Sequence, residues 1–443
     1  MISIKEVKKH NFILQFFKVL SENNIRYAIL RKYENIYLMD FNDIDFCLDK
    51  NRFEEAINIL NVLCDKYGWR IYNTIYKDGL IAMHLYKTIN GKLEIIHLDI
   101  FKTINWKGIT VLDNEEVLQC ITKYKEIFIV SKDCEAVICL LSRLLYHGYV
   151  KGEYRKLIQD RSFSVEVIKI LEKIFNKDIA VQLCEDCRSS NWDKVEKSVS
   201  KLRKALILNR VRNVRNNFFI AKVKFFCNRI NRFFNRKGIC IVFLGTDGSG
   251  KSTIIDNVQE VLKQSYPREY VSYFHWRPKL ILNRKRKQNG CTVTNPHEKK
   301  PYNKLISIIK FLTFNIDYIL GYWLLVYPKL AKNSLVIFDR YYYDYFIDMY
   351  RYRIDLNINI IKFFNRLIPN PDITFLLTGD SKVIYERKKE ISIEEIDNQI
   401  SSIAINKKYF NNPKDIDVNK SIHDVIINVC EEILNFSKRR GKR

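Results

Sequence analysis

One stretch constrains this chain more than any other: Ile239-Cys240-Ile241-Val242-Phe243-Leu244, running into Gly245-Thr246-Asp247-Gly248-Ser249-Gly250-Lys251-Ser252. Six consecutive apolar residues read as a strand buried on both faces, and Thr253 to Gln264 carries apolar residues at helical spacing. Between them, glycines open dihedrals closed to side chains, so successive backbone N–H groups can wrap an anion at a helix N-terminus, where the helix dipole adds to the attraction. Strand, glycine loop and helix in this order are the context that makes G-x-x-x-x-G-K-S a phosphate-binding loop. Its candidate residues are Gly245, Asp247, Gly248, Ser249, Gly250, Lys251, Ser252 and Thr253. Lys251 is expected to reach the β- and γ-phosphates of ATP, and the Ser252 hydroxyl to ligate Mg²⁺.

From Gly238 onward strands alternate with helices. Strands are expected at Ile239 to Leu244, Tyr270 to His275, Ser334 to Phe338 and Asp372 to Leu377, which predicts an α/β fold with a parallel sheet and flanking helices. Ser334-Leu335-Val336-Ile337-Phe338 delivers Asp339 at its C-terminal end, where open parallel sheets place ligands. Asp339 is the second metal-ligand candidate. The planar fork of Arg340 suits a phosphate.

Order and spacing of Gly245-x-Asp247-Gly248-x-Gly250-Lys251-Ser252, Asp339-Arg340-Tyr341, Pro369-Asn370-Pro371-Asp372 and Glu386-Arg387-Lys388-Lys389-Glu390 resemble the thymidylate kinase family of nucleoside-monophosphate kinases, over about Gly238 to Leu434. The resemblance implies ATP on the loop, Asp247 near the acceptor sugar, Arg340 on the acceptor phosphate, and a basic lid beginning near Arg387. It departs after Tyr341, where the family has a Ser and an Ala-Tyr-Gln run that helps hold the base. Here the text is Tyr342-Tyr343-Asp344-Tyr345-Phe346-Ile347-Asp348-Met349-Tyr350. An acceptor pocket rich in hydroxyls and carboxylates is therefore expected from Tyr341, Tyr342, Tyr343, Asp344 and Asp348.

The N-terminal part has a different grammar. A helix near Ile4 to Leu20, strands at Arg26 to Leu30 and Asp43 to Leu48, a helix at Arg52 to Tyr67 and three strand-like runs up to Phe101 predict an α+β domain, with Asn90-Gly91 forming a tight hairpin turn. Asp43 and Asp45 fall on one face of a strand, and Asp99 on a neighbouring one, a set of oxygens suited to Mg²⁺. Asn42-Asp43-Ile44-Asp45 and the later Asp99 resemble the polymerase-β-type nucleotidyltransferase superfamily, over about Ile4 to Val130; its Gly-Ser turn is missing, the corresponding stretch being Leu30-Arg31-Lys32-Tyr33-Glu34. The resemblance implies metal-dependent nucleotidyl transfer, and a degenerate docking role is the alternative. Helical periodicity then runs from Asp133 to about Leu208, with caps expected at Asp133, Ser164 and Asn191.

The organisation expected is thus a nucleotidyltransferase-like domain at 1–130, a helical extension at 131–200, a basic linker helix at 201–237 and a thymidylate kinase-like domain at 238–443. The linker has no acidic residue and interleaves Lys and Arg with Phe218, Phe219, Phe225, Phe226, Phe233 and Phe234, in a chain of formal net charge +25. Either it docks on an anionic membrane surface or nucleic acid, or it is an interdomain helix with a solvated basic face. Leu305 to Tyr327 is apolar but contains Lys310, Asn315 and Asp317, and is expected to be a buried helix. The 11 cysteines include only one close pair, Cys184 and Cys187, without a second pair to complete a zinc tetrahedron. The first residues lack an export signal, so a cytosolic setting is expected, with peripheral membrane attachment as a variant. Read together, these features predict an ATP- and Mg²⁺-dependent phosphotransferase acting on a nucleoside monophosphate or related small acceptor. A sugar or glycan-precursor kinase and a polyanion- or membrane-binding ATPase are the alternatives.

Overall fold

The computed structural model describes residues 9–441 apart from 42, 78, 214, 264, 267–269, 281–301 and 390. The basic insert around Arg284 and the start of the first helix lie outside the described residues. The chain divides into two compact units, Met1–Ile230 and Asn231–Arg443.

In the first unit, β1 (Tyr27–Ile29), β2 (Asp43–Leu48), β3 (Arg70–Lys77), β4 (Leu80–Ile89) and β5 (Lys92–Phe101) join β8 (Ile121–Tyr124) and β9 (Ile127–Val130) in one sheet, in the order β3-β4-β5-β2-β1-β9-β8. β6 (Ile104–Trp106) and β7 (Ile109–Leu112) form a separate ribbon. Asn90 and Gly91 both take positive φ, 49° and 73°, in the hairpin between β4 and β5. Alternation along β2 sends Ile44, Phe46 and Leu48 into a core with Phe12, Phe16 and Phe17 of helix Lys9–Glu22. Cys47, on the other face, packs with the helices that follow the sheet. Asp43 and Asp45 share that second face. Of the expected caps, Ser164 and Asn191 hold the starts of helices Val165–Ile174 and Trp192–Lys197. Helix Lys132–His147 starts at Ser131, whose hydroxyl accepts from the Cys134 N–H; Asp133 lies inside the first turn and accepts from the Ser164 hydroxyl. The basic segment forms two helices, Val199–Asn213 and Arg215–Phe234.

In the second unit, β10 (Ile239–Gly245), β11 (Val271–His275), β12 (Leu335–Asp339), β13 (Ile373–Thr378) and β14 (Pro413–Asp417) make a wholly parallel sheet in the order β11-β12-β10-β13-β14. Every residue of β10 and β12 is buried, as a parallel strand covered on both faces requires. β14, carrying only a short mixed run, has no signal comparable to the other four.

Helix Lys304–Gly321 departs from the buried helix expected there. Its polar residues face inward: Asp317 pairs with Arg277 and accepts the Leu280 N–H at 3.0 Å, and Lys310 Nζ donates to the Tyr352 carbonyl at 2.8 Å. Leu305, Ile309, Leu312, Ile316 and Leu320 are exposed instead. Among the described residues, Lys304–Ala331 is the one helical stretch long and apolar enough to cross a membrane.

Asp372, at the entrance to β13, ties three parts of this unit together. Its carboxylate accepts the Cys240 N–H at 2.8 Å and pairs with Arg236 at 2.9 Å and Arg440 at 2.6 Å. Because the carboxylate is buried, its removal leaves the Cys240 N–H unpaired and two guanidiniums with only the Gly238 carbonyl between them. Asp372→Ala is expected to lower the stability of this unit by about 3 kcal/mol or more, measured by chemical denaturation, and Asp372→Asn by less because its amide oxygen still accepts the Cys240 N–H.

Candidate active site

Parallel register sets the site. Phe243 of β10 lies opposite Asp339 of β12, and Gly245 opposite Leu377 of β13, so the glycine loop and Asp339-Arg340 leave the sheet side by side at its C-terminal edge. Gly245 is required by contact: a Cβ there would lie 2.8 Å from both the Leu377 carbonyl oxygen and Ser249 Oγ. Gly248 is required by conformation as well, with φ of +86° and the Ile384 carbonyl oxygen 2.9 Å from an added Cβ. The loop is closed by its own side chains. Ser249 Oγ donates to the Thr246 carbonyl at 2.8 Å, and Lys251 Nζ donates to the carbonyls of Gly245 and Thr246 at 2.9 and 2.7 Å. Burial, helped by the Arg340 guanidinium, pulls the Lys251 ammonium down to about 8.

Asp339 is buried. Its Oδ2 accepts from the Tyr273 hydroxyl at 3.0 Å and lies 3.4 Å from His275 Nδ1, while Oδ1 is buried with no hydrogen-bond partner. Burial would raise this carboxyl, but the hydrogen bond from His275 and the charge of Lys251 hold it below its ordinary value. An anionic oxygen left unsatisfied at the mouth of a phosphate-binding loop fits a cation ligand, and Ser252, exposed on the first turn of helix Lys251–Leu262, supplies the second donor.

Arg340 sits in the left-handed region at φ +70°, its N–H donating to the Phe243 carbonyl at 3.0 Å. That conformation costs on the order of 1 kcal/mol in a non-glycine residue. It turns the guanidinium toward the loop, 2.6 Å from Asp247 Oδ1, with Asp344 Oδ2 at 3.3 Å. The other oxygen of Asp247 pairs with Arg351. Burial alone would raise the Asp247 carboxyl, but Arg340 and Arg351 together hold it far below the carboxylate range.

Other expected residues fall elsewhere. Tyr341, Tyr342 and Tyr343 are buried and donate to, or receive from, backbone and Asn370 partners: Tyr341 to the Pro369 carbonyl at 2.6 Å, Tyr342 to the Ile361 carbonyl at 2.9 Å, and Tyr343 to Asn370 Oδ1 at 3.3 Å. They are core residues, not the lining of an acceptor pocket, while Asp344 and Asp348 steady Arg340 and Arg351. Arg387, expected in the lid, is exposed and donates to the Val418 carbonyl at 2.8 Å. One residue further, the Lys388 Cβ lies 3.3 Å from where a Gly248 Cβ would stand, so the end of helix Ser381–Arg387 abuts the loop at Lys388. Sequence reasoning passed over Arg351, Lys388 and Tyr273 as individuals; the aromatic and basic runs around them gave no spacing that singles them out.

In the first unit the three carboxylates expected to hold a metal do not gather as such a group. Asp45 is opposite Asp99, and Asp43 opposite His97, on neighbouring parallel strands. Asp45 is taken by Arg31, with Nε to Oδ2 at 2.5 Å, and His97 Nδ1 donates to Asp43 at 2.9 Å. Burial and the neighbouring Asp45 charge raise Asp99 to about 6. Among the described residues no set of three or more His, Cys, Asp or Glu is arranged to hold a metal ion.

A parallel sheet, a glycine loop closed by Lys251 and a flanking Asp-Arg pair define the second unit as a P-loop phosphotransferase of the nucleoside-monophosphate kinase type. Residues 243–426 match the sequence model of the thymidylate kinase family. This unit is thymidylate kinase-like. A solved structure, thymidylate kinase from Ehrlichia chaffeensis, is similar at 21 % identity, covering 44 % of this chain and 98 % of that one with a TM-score of 0.30. No curated protein matches.

Since only the ammonium form of Lys251 pairs with phosphate, ATP affinity is expected to fall as pH rises above about 8, by up to about tenfold per pH unit. Calorimetry in buffers of different ionisation enthalpy should show proton uptake on ATP binding above that pH and none well below it. Lys251→Arg, which stays charged, should flatten the dependence.

Proposed function

We propose that the second unit transfers the γ-phosphoryl group of ATP, with Mg²⁺, to a nucleoside monophosphate or a related small acceptor. The observation that carries this reading is the convergence of Lys251, Asp339 and Arg340 on one loop edge, with Asp339 Oδ1 unsatisfied. Phosphoryl transfer asks the protein mainly to position two substrates and offset charge developing on the transferred group. The backbone N–H groups of Gly248 to Ser252 cradle the donor phosphates, and Lys251 exchanges its two loop carbonyls for phosphate oxygens. Ser252 and Asp339 would hold Mg²⁺, which when bound would supply charge neutralisation for the donor phosphates. Arg340 orients the acceptor so that its oxygen attacks in line, and Lys388 lies where a closing lid brings positive charge to the loop. The base-holding Ser and Ala-Tyr-Gln run of thymidylate kinases is absent, so thymidine monophosphate is a poor acceptor in this reading. The sugar or glycan-precursor alternative calls for the same donor machinery. For the first unit, the pairing of Asp45 with Arg31 favours a docking role over metal-dependent nucleotidyl transfer. The setting proposed is the cytosol, where ATP is available.

The test is ATP consumption over a panel of nucleoside monophosphates and sugars. Lys251→Ala is expected to lower turnover by about a hundredfold or more while the protein still folds cooperatively, and Asp339→Asn to lower turnover and raise the Mg²⁺ concentration required. Turnover of Lys251→Ala near the wild-type value would remove the kinase reading. A kcat/KM for thymidine monophosphate of about 10⁴ M⁻¹s⁻¹ or higher would restore plain thymidylate kinase activity.

A second reading concerns helix Arg215–Phe234, where Val223, Phe226, Ile230, Phe233 and Phe234 are exposed in a segment without acidic residues. Such a helix suits an anionic membrane surface. Pelleting of the full chain with vesicles containing anionic lipid, lost on raising salt, is the expected result; pelleting equally with neutral vesicles would count against it.

A further inference from the structure

Helix Lys304–Gly321, with the helical turns that continue it to Ala331, divides its residues sharply. Its polar side chains are committed to the protein. Asp317 pairs with Arg277, Lys310 Nζ donates to the Tyr352 carbonyl at 2.8 Å, Thr313 Oγ1 to the Ile309 carbonyl at 2.9 Å and Asn315 Nδ2 to the Phe311 carbonyl at 2.7 Å. Between Lys304 and Lys332, by contrast, the exposed residues are all apolar. Leu305, Ile309, Leu312, Ile316, Leu320 and Trp323 follow one another at steps of three or four, which lays them along one face, and each is between 42 % and 68 % exposed. The helix has 18 residues and is about 27 Å long. Beyond its end the Tyr327 ring packs on Trp323 at 5.0 Å and on Phe233 at 5.2 Å, so that exposed Phe233 and Phe234 extend the same apolar surface. An uncharged stripe of this length marks an interaction surface, because water-facing helices ordinarily break such a run with charged residues.

We propose that this face seats on a bilayer surface containing anionic lipid, with the helix lying in the interfacial plane. The surface is distinct from the basic helix Arg215–Phe234, and the proposal stands without the kinase reading. Crossing the bilayer would carry Asp317 and Lys310 into hydrocarbon and part them from Arg277 and the Tyr352 carbonyl. Lying flat leaves those bonds intact. It sets the leucine and isoleucine side chains against the acyl boundary and Trp323 at headgroup level, the depth that suits an indole. Charge selects the occupant. The face is bounded by the exposed Lys304 and Lys332, and the only acidic residue between them, Asp317, is fully buried. Anionic headgroups complement those lysines, in a chain whose net charge is +25. A second copy of the chain does not: whichever way two such faces are laid together, a lysine end meets a lysine end with no exposed carboxylate between to offset it.

The experiment is flotation of the full chain with vesicles of phosphatidylcholine, alone or with about 30 mol % phosphatidylglycerol. The wild type is expected to float with the anionic vesicles. Leu312→Gln/Ile316→Gln removes apolar area from the middle of the face and adds no charge, and should weaken that binding by about tenfold or more. Phe226→Gln/Ile230→Gln reports separately on helix Arg215–Phe234. The proposal is overturned if the wild type does not bind anionic vesicles, or if Leu312→Gln/Ile316→Gln binds them as the wild type does, including the case in which only Phe226→Gln/Ile230→Gln loses binding. It is also overturned if sedimentation velocity shows a wild-type dimer that Leu312→Gln/Ile316→Gln converts to a monomer with vesicle binding unchanged, since the face would then be a contact between copies. Should the glutamine variant not fold, the depth of Trp323 decides. Brominated lipid in the anionic vesicles should quench the fluorescence of the wild type more than that of Trp323→Phe, and equal quenching of the two overturns the proposal.

Discussion

The buried carboxylate of Asp372 is the constraint on which the second unit turns. It accepts the N–H of Cys240 at the start of the central strand and grips Arg236 before that strand and Arg440 near the end of the chain. A strand gripped at its first residues has its register set, and register decides what emerges at the other end. Here it aligns Phe243 with Asp339 and Gly245 with Leu377, and so brings the loop and the Asp-Arg pair to one edge. An Asp at the start of one strand thereby governs the geometry of a site a full strand length away.

At that edge the dominant physics is charge held out of water. Lys251, Arg340 and Arg351 are all largely buried, and each is satisfied locally, by loop carbonyls in the first case and by Asp247, Asp344 and Asp348 in the others. The unsatisfied Asp339 Oδ1 is the exception, and it is the atom for which a cation is the natural partner.

How much of this was legible in the chain depends on how local the signal is. The glycine loop, its strand and its helix announce themselves because glycine placement, an unbroken apolar run and helical spacing act over neighbours in sequence, and the hairpin at Asn90-Gly91 does so for the same reason. The direction of the tyrosines was not legible. Tyr341, Tyr342 and Tyr343 carry hydroxyls that suit a sugar as readily as a backbone carbonyl, and only the packing around Pro369, Ile361 and Asn370 assigns them to the core. Asp43, Asp45 and Asp99 were correctly placed on neighbouring strands, yet the partner that changes their meaning, Arg31, comes from a different segment and has no fixed spacing to them. Arg351 escaped notice for a like reason: what marks it is a contact with a residue of the phosphate loop, far away in sequence. On the helix Lys304–Gly321, Phe311, Phe314 and Tyr318 pack inward together with Asp317 and Lys310, while Leu305, Ile309, Leu312, Ile316 and Leu320 face outward, a division that hydropathy alone does not suggest.

Asp247 also has a consequence for a chain of net charge +25, which attracts anions of every kind. A pair of bare guanidiniums would be occupied at once by whatever anion is commonest, and a scarce substrate would compete with it. With a carboxylate of the loop already seated on both, entry becomes an exchange reaction: an incoming group must outbid a tethered competitor present at high effective concentration. A weakly bound monovalent anion would lose that contest to the tethered carboxylate, whereas a dianion would compete with it on better terms. The carboxylate would then act as a sieve, screening what reaches the two guanidiniums.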